Sequence, residues 1–278
     1  FLNNLISPTA FADTPKHEAF QNIAYEYIND HSNISPDLAT SVGDHSADGE
    51  LDNVNHDARE ETLTLYREYR TALGLLDRNE LTRANQVDAE MLLHEIESSI
   101  WSLETLQEWA WNPLYYVDMS GNAIYALVAR DFAPIEQRLM AAASRLEQLP
   151  RFLEQARGSI EPDRVPKIHA ETAIKQNPGL SSIIEAMIVP QMEALPAAQQ
   201  ARLTAAIETA RDALADHQTW LEEELLPRAN GDFRIGAELY DTKLAFALNS
   251  PLSRKEITAR AEQEYETVRN KMYEVAKE

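Results

Sequence analysis

Residues 196–227 read PAAQQARLTAAIETARDALADHQTWLEEELLP, and the spacing of their core-forming side chains decides the fold class. Steps of four, three, four, three and four residues separate Leu203, Ile207, Ala210, Leu214, His217 and Leu221. Such spacing is typical of one face of an α-helix, and prolines bound the segment at both ends. Because the seam spans fewer than about three heptads, we expect this helix to pack inside a bundle rather than in a free coiled coil.

The same helical periodicity recurs on both sides of this segment. Apolar residues fall at helical spacing within residues 20–28, 63–76, 87–106, 135–146 and 257–275. No alternating run is long enough to predict a strand. The sequence therefore predicts an all-α fold, a multi-helix bundle of about ten helices.

Three segments carry expectations about where helices begin and end. Residues 80–109 are predicted to form one uninterrupted helix that ends before Asn112-Pro113. Residues 32–56 are predicted to form a long polar loop, because Ser35-Pro36 is expected to stop any helix and the segment shows no clear period. Loops of this length are usually functional or disordered. Pro150 is expected to interrupt or restart the helix that begins near Pro134.

The composition excludes several classes of protein. The chain has 278 residues with 25 Lys and Arg against 46 Asp and Glu, which gives a formal net charge of −21. This balance argues against binding of nucleic acid or anionic lipid, because both need clustered basic side chains. Cysteine is absent, so any metal would need His, Asp or Glu ligands. No apolar run reaches the roughly 20 residues that a membrane-spanning helix needs.

The two ends of the chain suggest processing and a longer protein. Ala10-Phe11-Ala12-Asp13 has the small-x-small pattern of a signal-peptidase site, so residues 1–13 are expected to be a leader remnant or an N-terminal arm. This favours a periplasmic or secreted protein, and a cytoplasmic location stays open. Residues 14–278 are expected to form a helical domain. Because its last helix runs to Glu278 without a C-cap signal, we expect the N-terminal portion of a longer protein.

Candidate metal and pocket residues are few, and each has a plainer interpretation. His94-Glu95 begins like a zinc-binding H-E-x-x-H helix, but position 98 is Ser, which favours a surface pair. Four side chains of the polar loop could hold a hard cation, although turn formation is the default: Asp44, His45, Asp48 and Asp52. Five aromatic side chains could line an apolar pocket or simply form core: Trp101, Trp109, Trp111, Tyr115 and Tyr116.

An ordered series of motifs covers nearly the whole chain. In order, they are Ala39-Thr40-x-x-Gly43-x-His45-x-x-Asp48 after Pro36, Asn112-Pro113, Arg138-Leu139, Leu149-Pro150-x-Phe152-Leu153-x-x-Ala156, Phe233-Arg234-Ile235-Gly236 before Tyr240 and Leu244, and Ser253 to Glu256. The series resembles the N-terminal half of the bacterial family catalogued as domain of unknown function 885.

The resemblance implies an all-helical protein related to zinc metallopeptidases, with a deep groove between two helical halves. It also implies a zinc motif in the C-terminal half, a His-Glu pair followed shortly by Pro-Gly-His, and this chain contains no such motif. A zinc hydrolase needs its metal to polarise the substrate and activate water. We therefore expect no catalytic residue, metal ligand or cofactor in this chain, and zinc only in a C-terminal half.

The expected function is a non-catalytic N-terminal portion of an exported zinc-metallopeptidase-like protein, contributing one wall of the substrate groove. Its partners would be a peptide-like substrate or the C-terminal half of the same protein. The groove candidates are the most polar family positions, namely His45, Asp48, Arg234 and Tyr240, although a buried structural role for Arg234 stays open. One alternative is an acidic helical module that binds peptides or proteins without enzymatic activity. Another is a structural domain whose last helix packs on a partner chain.

Overall fold

A computed structural model describes residues 15–277, with side chains from Glu18 onward. Within these residues the chain is all-α, with ten helices of seven or more residues, two shorter helices and no β-strand. The helices are α1 (Pro15–Ile34), α2 (Pro36–Val42), α3 (His56–Gly74), α4 (Arg83–Trp101), α5 (Glu108–Trp111), α6 (Pro113–Val128), α7 (Ile135–Ser159), α8 (Lys167–Gln176), α9 (Gly179–Ile183), α10 (Ala197–Trp220), α11 (Ala237–Leu248) and α12 (Arg254–Val275). The predicted all-α bundle of about ten helices is confirmed.

A first hydrophobic core forms between α1, α3 and α4. Leu73 of α3 and Ile96 of α4 are fully buried within it. Three tyrosines of α1 and α3 are also buried there: Tyr27, Tyr66 and Tyr69. Their hydroxyl groups make this core more polar than an aliphatic one, and a cavity described below borders it.

A second and larger core forms around α6, α7, α8 and α10. Helices α7 and α10 pack along each other, with Leu146 and Phe152 of α7 fully buried. All six seam residues of segment 196–227 are buried, from Leu203 to Leu221. The expectation that this seam packs inside a bundle is therefore confirmed.

The prediction of one helix over residues 80–109 is wrong after Trp101. Helix α4 ends at Trp101, and a π-helical turn follows over Ser102–Leu106. Gln107 then adopts the left-handed backbone conformation, with φ of 54°, before α5 begins. Apolar spacing continues through this break, so the periodicity alone could not reveal it.

Two prolines interrupt less than the sequence suggested. The predicted loop 32–56 is partly helical, because α1 extends to Ile34 and Pro36 occupies the first position of α2, where its missing N–H costs nothing. Pro150 lies inside the continuous helix α7. Tertiary packing of α7 in the larger core therefore outweighs the local preference of this proline.

The chain divides into two compact units, which we describe separately. The first extends to Phe233, and the second is Arg234–Glu278 with α11 and α12. In the second unit Ser253 begins α12 with a capping box, as the sequence predicts, in which the Ser253 hydroxyl accepts from the Glu256 N–H. Large apolar side chains of α12 are exposed, among them Tyr265 and Met272.

The structure bears on the expectation about membrane-spanning helices but not on the expected N-terminal leader. Residues 1–13, the predicted leader remnant or arm, lie outside the described residues. Among residues 15–277, none of the helices has both the length and the apolar character that crossing a membrane would require.

Candidate functional site

The segment between α2 and α3 is anchored to α7 by side-chain amides and arginines. The Gln155 side-chain oxygen accepts from the Val54 N–H at 2.9 Å, and the Gln148 side-chain N–H donates to the Gly49 carbonyl at 2.8 Å. Arg151 Nη2 donates to the Leu51 carbonyl at 2.7 Å. Because these contacts satisfy backbone groups that no helix pairs, the segment has one defined path over α7.

Beneath this segment, three aspartates surround one fully buried arginine, and we call Asp37, Asp48, Asp52 and Arg145 the carboxylate network. Arg145 Nη1 lies 3.0 Å from Asp37 Oδ1 and donates to the Ala123 carbonyl at 2.7 Å. Arg145 Nη2 donates to the Thr40 hydroxyl at 2.7 Å. The Thr40 hydroxyl in turn lies 2.8 Å from Asp48 Oδ1, to which it donates. The arginine therefore links α2, α6, α7 and the segment that follows α2.

The predicted residues His45 and Asp48 are brought together at the edge of this network. His45 Nδ1 lies 3.1 Å from Asp48 Oδ2, and the His45 ring stacks on Phe132 with the ring centroids 3.8 Å apart. Asp48 is buried, whereas His45 is only half-buried. The pair therefore fixes the turn after α2 in position, and neither side chain lines the cavities described below.

Burial dominates the electrostatics of the other two aspartates. It raises the pKa of Asp37 to about 7, and the neighbouring Asp52 charge adds to this effect while Arg145 opposes it. Burial also raises the pKa of Asp52, against the hydrogen bonds that Asp52 accepts from the Asp37 N–H and the Ser35 hydroxyl. Burial therefore favours the protonated forms of both aspartates, which makes the stability of the network depend on pH.

A cavity of 260 Å³ lies beside the network, between the two hydrophobic cores, and we call it the aromatic cavity. Aromatic rings form much of its wall: Tyr66, Trp109, Tyr115 and Tyr116. Its polar lining includes His31, Asp52 and Arg59. A second cavity of 370 Å³ shares Arg59, Leu103 and Trp109 with the first. These three residues therefore separate two adjacent cavities.

The wall between the cavities is built on the irregular backbone after α4. The indole N–H of Trp109 donates to the Leu103 carbonyl at 3.0 Å, inside the π-helical turn. The guanidinium of Arg59 lies 3.9 Å from the centre of the Trp109 ring. π-Helical turns and left-handed non-glycine residues are enriched at functional sites. Here the turn adjoins both cavities, and Gln107 adjoins the second.

Burial keeps the imidazole and phenol groups of the aromatic cavity neutral near pH 7. Burial lowers the pKa of His31 to about 4, and the Tyr66 hydroxyl oxygen lies 3.1 Å from Nε2 of the neutral His31 ring. Burial raises the pKa of Tyr66 to about 12 and that of Tyr116 likewise to about 12. The cavity therefore offers neutral hydroxyl and imidazole groups together with the Asp52 carboxyl group and the Arg59 guanidinium.

The other two predicted groove residues, Arg234 and Tyr240, belong to the second unit. Both are exposed, so Arg234 is not buried, and a structural role for Arg234 stays a prediction. The guanidinium of Arg254 lies 5.9 Å from the centre of the Tyr240 ring. Their assignment to a substrate groove stays a prediction.

The suggested cation ligands of the polar loop make turns and internal hydrogen bonds. The Asp44 carboxylate accepts from the Ser46 N–H at 3.0 Å, as the turn interpretation predicts. Among the side chains described, no cluster of three or more His, Asp or Glu is placed to hold a metal ion. The aromatic alternatives both occur, because Trp109, Tyr115 and Tyr116 line the cavity while Tyr116 is also buried core.

Sequence reasoning missed the two arginines on which the site depends. Arg145 carried a signal, because a basic residue stands within the apolar face of α7 beside Leu146. A charge in an apolar stripe indicates a buried ionic partner. Arg59 carried no such signal, because its position near the start of α3 resembles an ordinary solvent-facing one. Only the folded chain places it over Trp109.

These features describe an all-helical protein with an aromatic cavity beside a buried carboxylate network. The chain belongs to the family of bacterial proteins of unknown function termed DUF885, whose family model matches residues 36–278. It is also similar to a solved structure described as "a putative lipoprotein of unknown function from Shewanella oneidensis", with 26% identity and a TM-score of 0.80. The match covers 91% of this chain and 46% of that one, so this chain spans less than half of that protein. No curated protein matches the chain.

Proposed function

We propose that this chain is a non-catalytic, substrate-binding portion of an exported zinc-metallopeptidase-like protein, and that it forms one wall of the substrate groove. The observation that carries the proposal is the aromatic cavity of 260 Å³ with its neighbour of 370 Å³. Ligand pockets typically combine apolar and aromatic walls with a few placed polar groups. The aromatic cavity has this character, whereas charged and polar side chains form most of the lining of its neighbour. A peptide-like substrate has groups that match both kinds of wall.

The electrostatics of the cavity favour binding over chemistry. Nucleophiles and general bases work best when their pKa lies near the working pH. Burial instead moves the pKa of His31 down to about 4 and the pKa of Tyr66 up to about 12. Burial also raises the pKa of Asp52, but its carboxylate oxygens already accept hydrogen bonds from the Ser35 hydroxyl and the Asp37 N–H. The zinc and the general base of the proposed hydrolase belong, in this proposal, to a C-terminal half.

Two further observations support the proposal. The solved relative has about twice the length that this chain matches, which leaves room for a second half in a protein of this kind. That relative is described as a putative lipoprotein, which supports the export part of the proposal, a periplasmic or secreted location. Peptide-like substrates and the C-terminal half remain the proposed partners.

The proposal is tested by incubating residues 1–278 with a pool of short peptides, with and without zinc and with and without a chelator. We expect peptides to be retained in equilibrium dialysis and recovered with unchanged mass under all conditions. Cleavage that depends on zinc and stops with the chelator would contradict the non-catalytic assignment. Retention of basic peptides alone, lost at high salt, would favour the acidic binding module instead.

The matched control uses the cavity wall. Tyr115 lines the aromatic cavity and is partly exposed, so replacing it by Ala should weaken peptide retention without unfolding the chain. Tyr125 is an exposed tyrosine that does not line either cavity, and its replacement by Ala should leave retention unchanged. Equal effects of the two substitutions would contradict binding in the aromatic cavity.

A further inference from the structure

The charged groups around the two cavities differ in how well they are compensated. Arg67 is paired with Glu104 at the second cavity. Asp52 accepts two hydrogen bonds, from the Ser35 hydroxyl at 2.8 Å and the Asp37 N–H at 2.9 Å. Arg59, which lines both cavities, has no carboxylate within ion-pair distance among the described residues. Among the described residues, Arg59 is thus the one charged side chain that lines both cavities, and no carboxylate pairs with it.

The hydrogen bonds of Arg59 involve only one of its three guanidinium nitrogen atoms. Nη1 donates to the Val54 carbonyl and to the Ser159 hydroxyl, each at 2.8 Å. Within the described residues, Nη2 and Nε donate to no protein group, and neither is sealed from solvent. Burial lowers the pKa of Arg59, and Tyr116, Tyr115 and the exposed Glu60 oppose this effect. Two adjacent donors of a planar group therefore remain available.

The position of the guanidinium is fixed by its neighbours. Trp109 covers one face at 3.9 Å from the ring centre, and the two Nη1 bonds set the orientation in the plane. Such a cation–π contact holds the planar group while leaving its edge accessible. An edge with two adjacent N–H donors matches the two oxygens of a carboxylate in a bidentate pair.

We propose that Arg59 is a binding residue for a carboxylate of the substrate, which fixes a peptide-like ligand across the wall between the two cavities. This inference rests on the proposed function and narrows it to substrates that carry an acid group at this point. The carboxylate is either the C-terminus of a peptide or an acidic side chain. Tyr115 and the Trp109 ring would contact the apolar part that adjoins it.

The test compares acid and amide forms of the same ligands by calorimetric titration of residues 1–278. The peptide probes are acetyl-Phe-Phe as the free acid, acetyl-Phe-Phe-amide, and acetyl-Phe-Glu-amide. We expect the free acid to bind at least about tenfold more tightly than its amide, since a charge-assisted pair replaces a neutral contact. Tighter binding of acetyl-Phe-Glu-amide than of the free acid would assign the carboxylate to a side chain, and the reverse would assign it to a C-terminus.

Three variants separate charge recognition from folding. Arg59→Gln should remove the preference for the acid, and Arg59→Lys should retain part of it because the charge stays without the fork geometry. Arg151→Gln is the matched control, because Arg151 also clamps carbonyls of the segment before α3 but lines neither cavity. It should keep the full preference. If Arg59→Gln does not fold, the wild-type ratio and Arg59→Lys decide the question.

Small probes distinguish this inference from the proposed function. 3-Phenylpropionate, its amide and 3-phenylpropylamine test the carboxylate site without a peptide. Equal affinity for acid and amide, or tighter binding of the amine, would overturn the inference, as would an acid preference that survives in Arg59→Gln. Peptide binding without acid preference would overturn the inference alone. Acid preference of the small probes without any peptide binding would support Arg59 and contradict the proposed function, and no binding of any probe would overturn both.

Discussion

Replacing Arg145 by Met tests the carboxylate network directly. The side chain is fully buried and serves the Ala123 carbonyl, the Thr40 hydroxyl and the Asp37 carboxylate at distances of 2.7, 2.7 and 3.0 Å. Methionine fills a similar volume but donates no hydrogen bond, so it leaves a buried carboxylate without its cation. Breaking a buried pair in this way costs about 3–5 kcal/mol.

The cost should depend on pH, and its sign follows from the network. Arg145 lowers the pKa of Asp37, so its removal lets the pKa of Asp37 rise further above its present value of about 7. At pH 5 Asp37 is then neutral in the folded variant, and the loss of stability is partly relieved. At pH 8 the folded variant must either hold Asp37 in its charged form without a cation, or keep a proton that the unfolded chain releases. Both cost stability. The variant should therefore lose more stability at pH 8 than at pH 5.

The assay is urea unfolding followed by helical circular dichroism at both values of pH. The double variant Asp37→Asn with Arg145→Met is the control, because it removes the uncompensated charge and should recover part of the loss, mainly at pH 8. A loss below about 1 kcal/mol at pH 8 would contradict the reasoning, because that is the range of a surface ion pair. Equal losses at both values of pH would contradict the role of Asp37.

Three further predictions concern single positions. Asp37→Asn should flatten the pH dependence of stability. The pKa of Asp37 is about 7 in the folded chain and 3.8 in the unfolded chain, so its stabilising effect is complete below pH 3.8 and is lost as pH rises through 7. In urea unfolding, the wild type should therefore lose about 2–4 kcal/mol more stability than the variant between pH 5 and pH 8. His217→Phe should protect the fold against acid. Burial lowers the pKa of His217 to about 4 and its Nδ1 has no partner, so the wild type loses stability as pH falls below 6.5. The stability of the variant minus that of the wild type should therefore be about 2 kcal/mol larger at pH 5 than at pH 8. Gln107→Gly should be about 1 kcal/mol more stable than Gln107→Ala in thermal unfolding, because both lose the Arg164 hydrogen bond at 3.0 Å but only glycine adopts φ of 54° without strain; equal stability would refute strain at this turn.

The fold class followed from periodicity, because the six seam residues Leu203 to Leu221 report burial at the spacing of a helix. Capping chemistry was equally readable at Ser253-x-x-Glu256, where both partners are local in sequence. The break after Trp101 was not readable, because its free carbonyls are satisfied by the indole groups of Trp109 and Trp111 further along the chain. Local sequence patterns predict helices, whereas tertiary hydrogen bonds decide where a helix ends.

Only a few polar residues near the site were predictable from the sequence. His45 and Asp48 were singled out and do form a pair, yet they hold a turn rather than line a cavity. Arg59 and Trp109 are far apart in sequence and meet only because α3 packs beside the segment after α4. In the sequence Arg59 resembles a solvent-facing residue and Trp109 resembles a core residue, so hydrophobic periodicity does not predict their contact. Only the folded structure shows it.

The central claim is that this chain binds peptide-like substrates without acting on them. The most direct measurement is mass spectrometry of short peptides retained by residues 1–278 in equilibrium dialysis, with zinc present. We expect peptides to be retained with unchanged mass, and we expect this retention to fall in Tyr115→Ala and not in Tyr125→Ala. Absence of retention, or zinc-dependent shortening of the peptides, would contradict it.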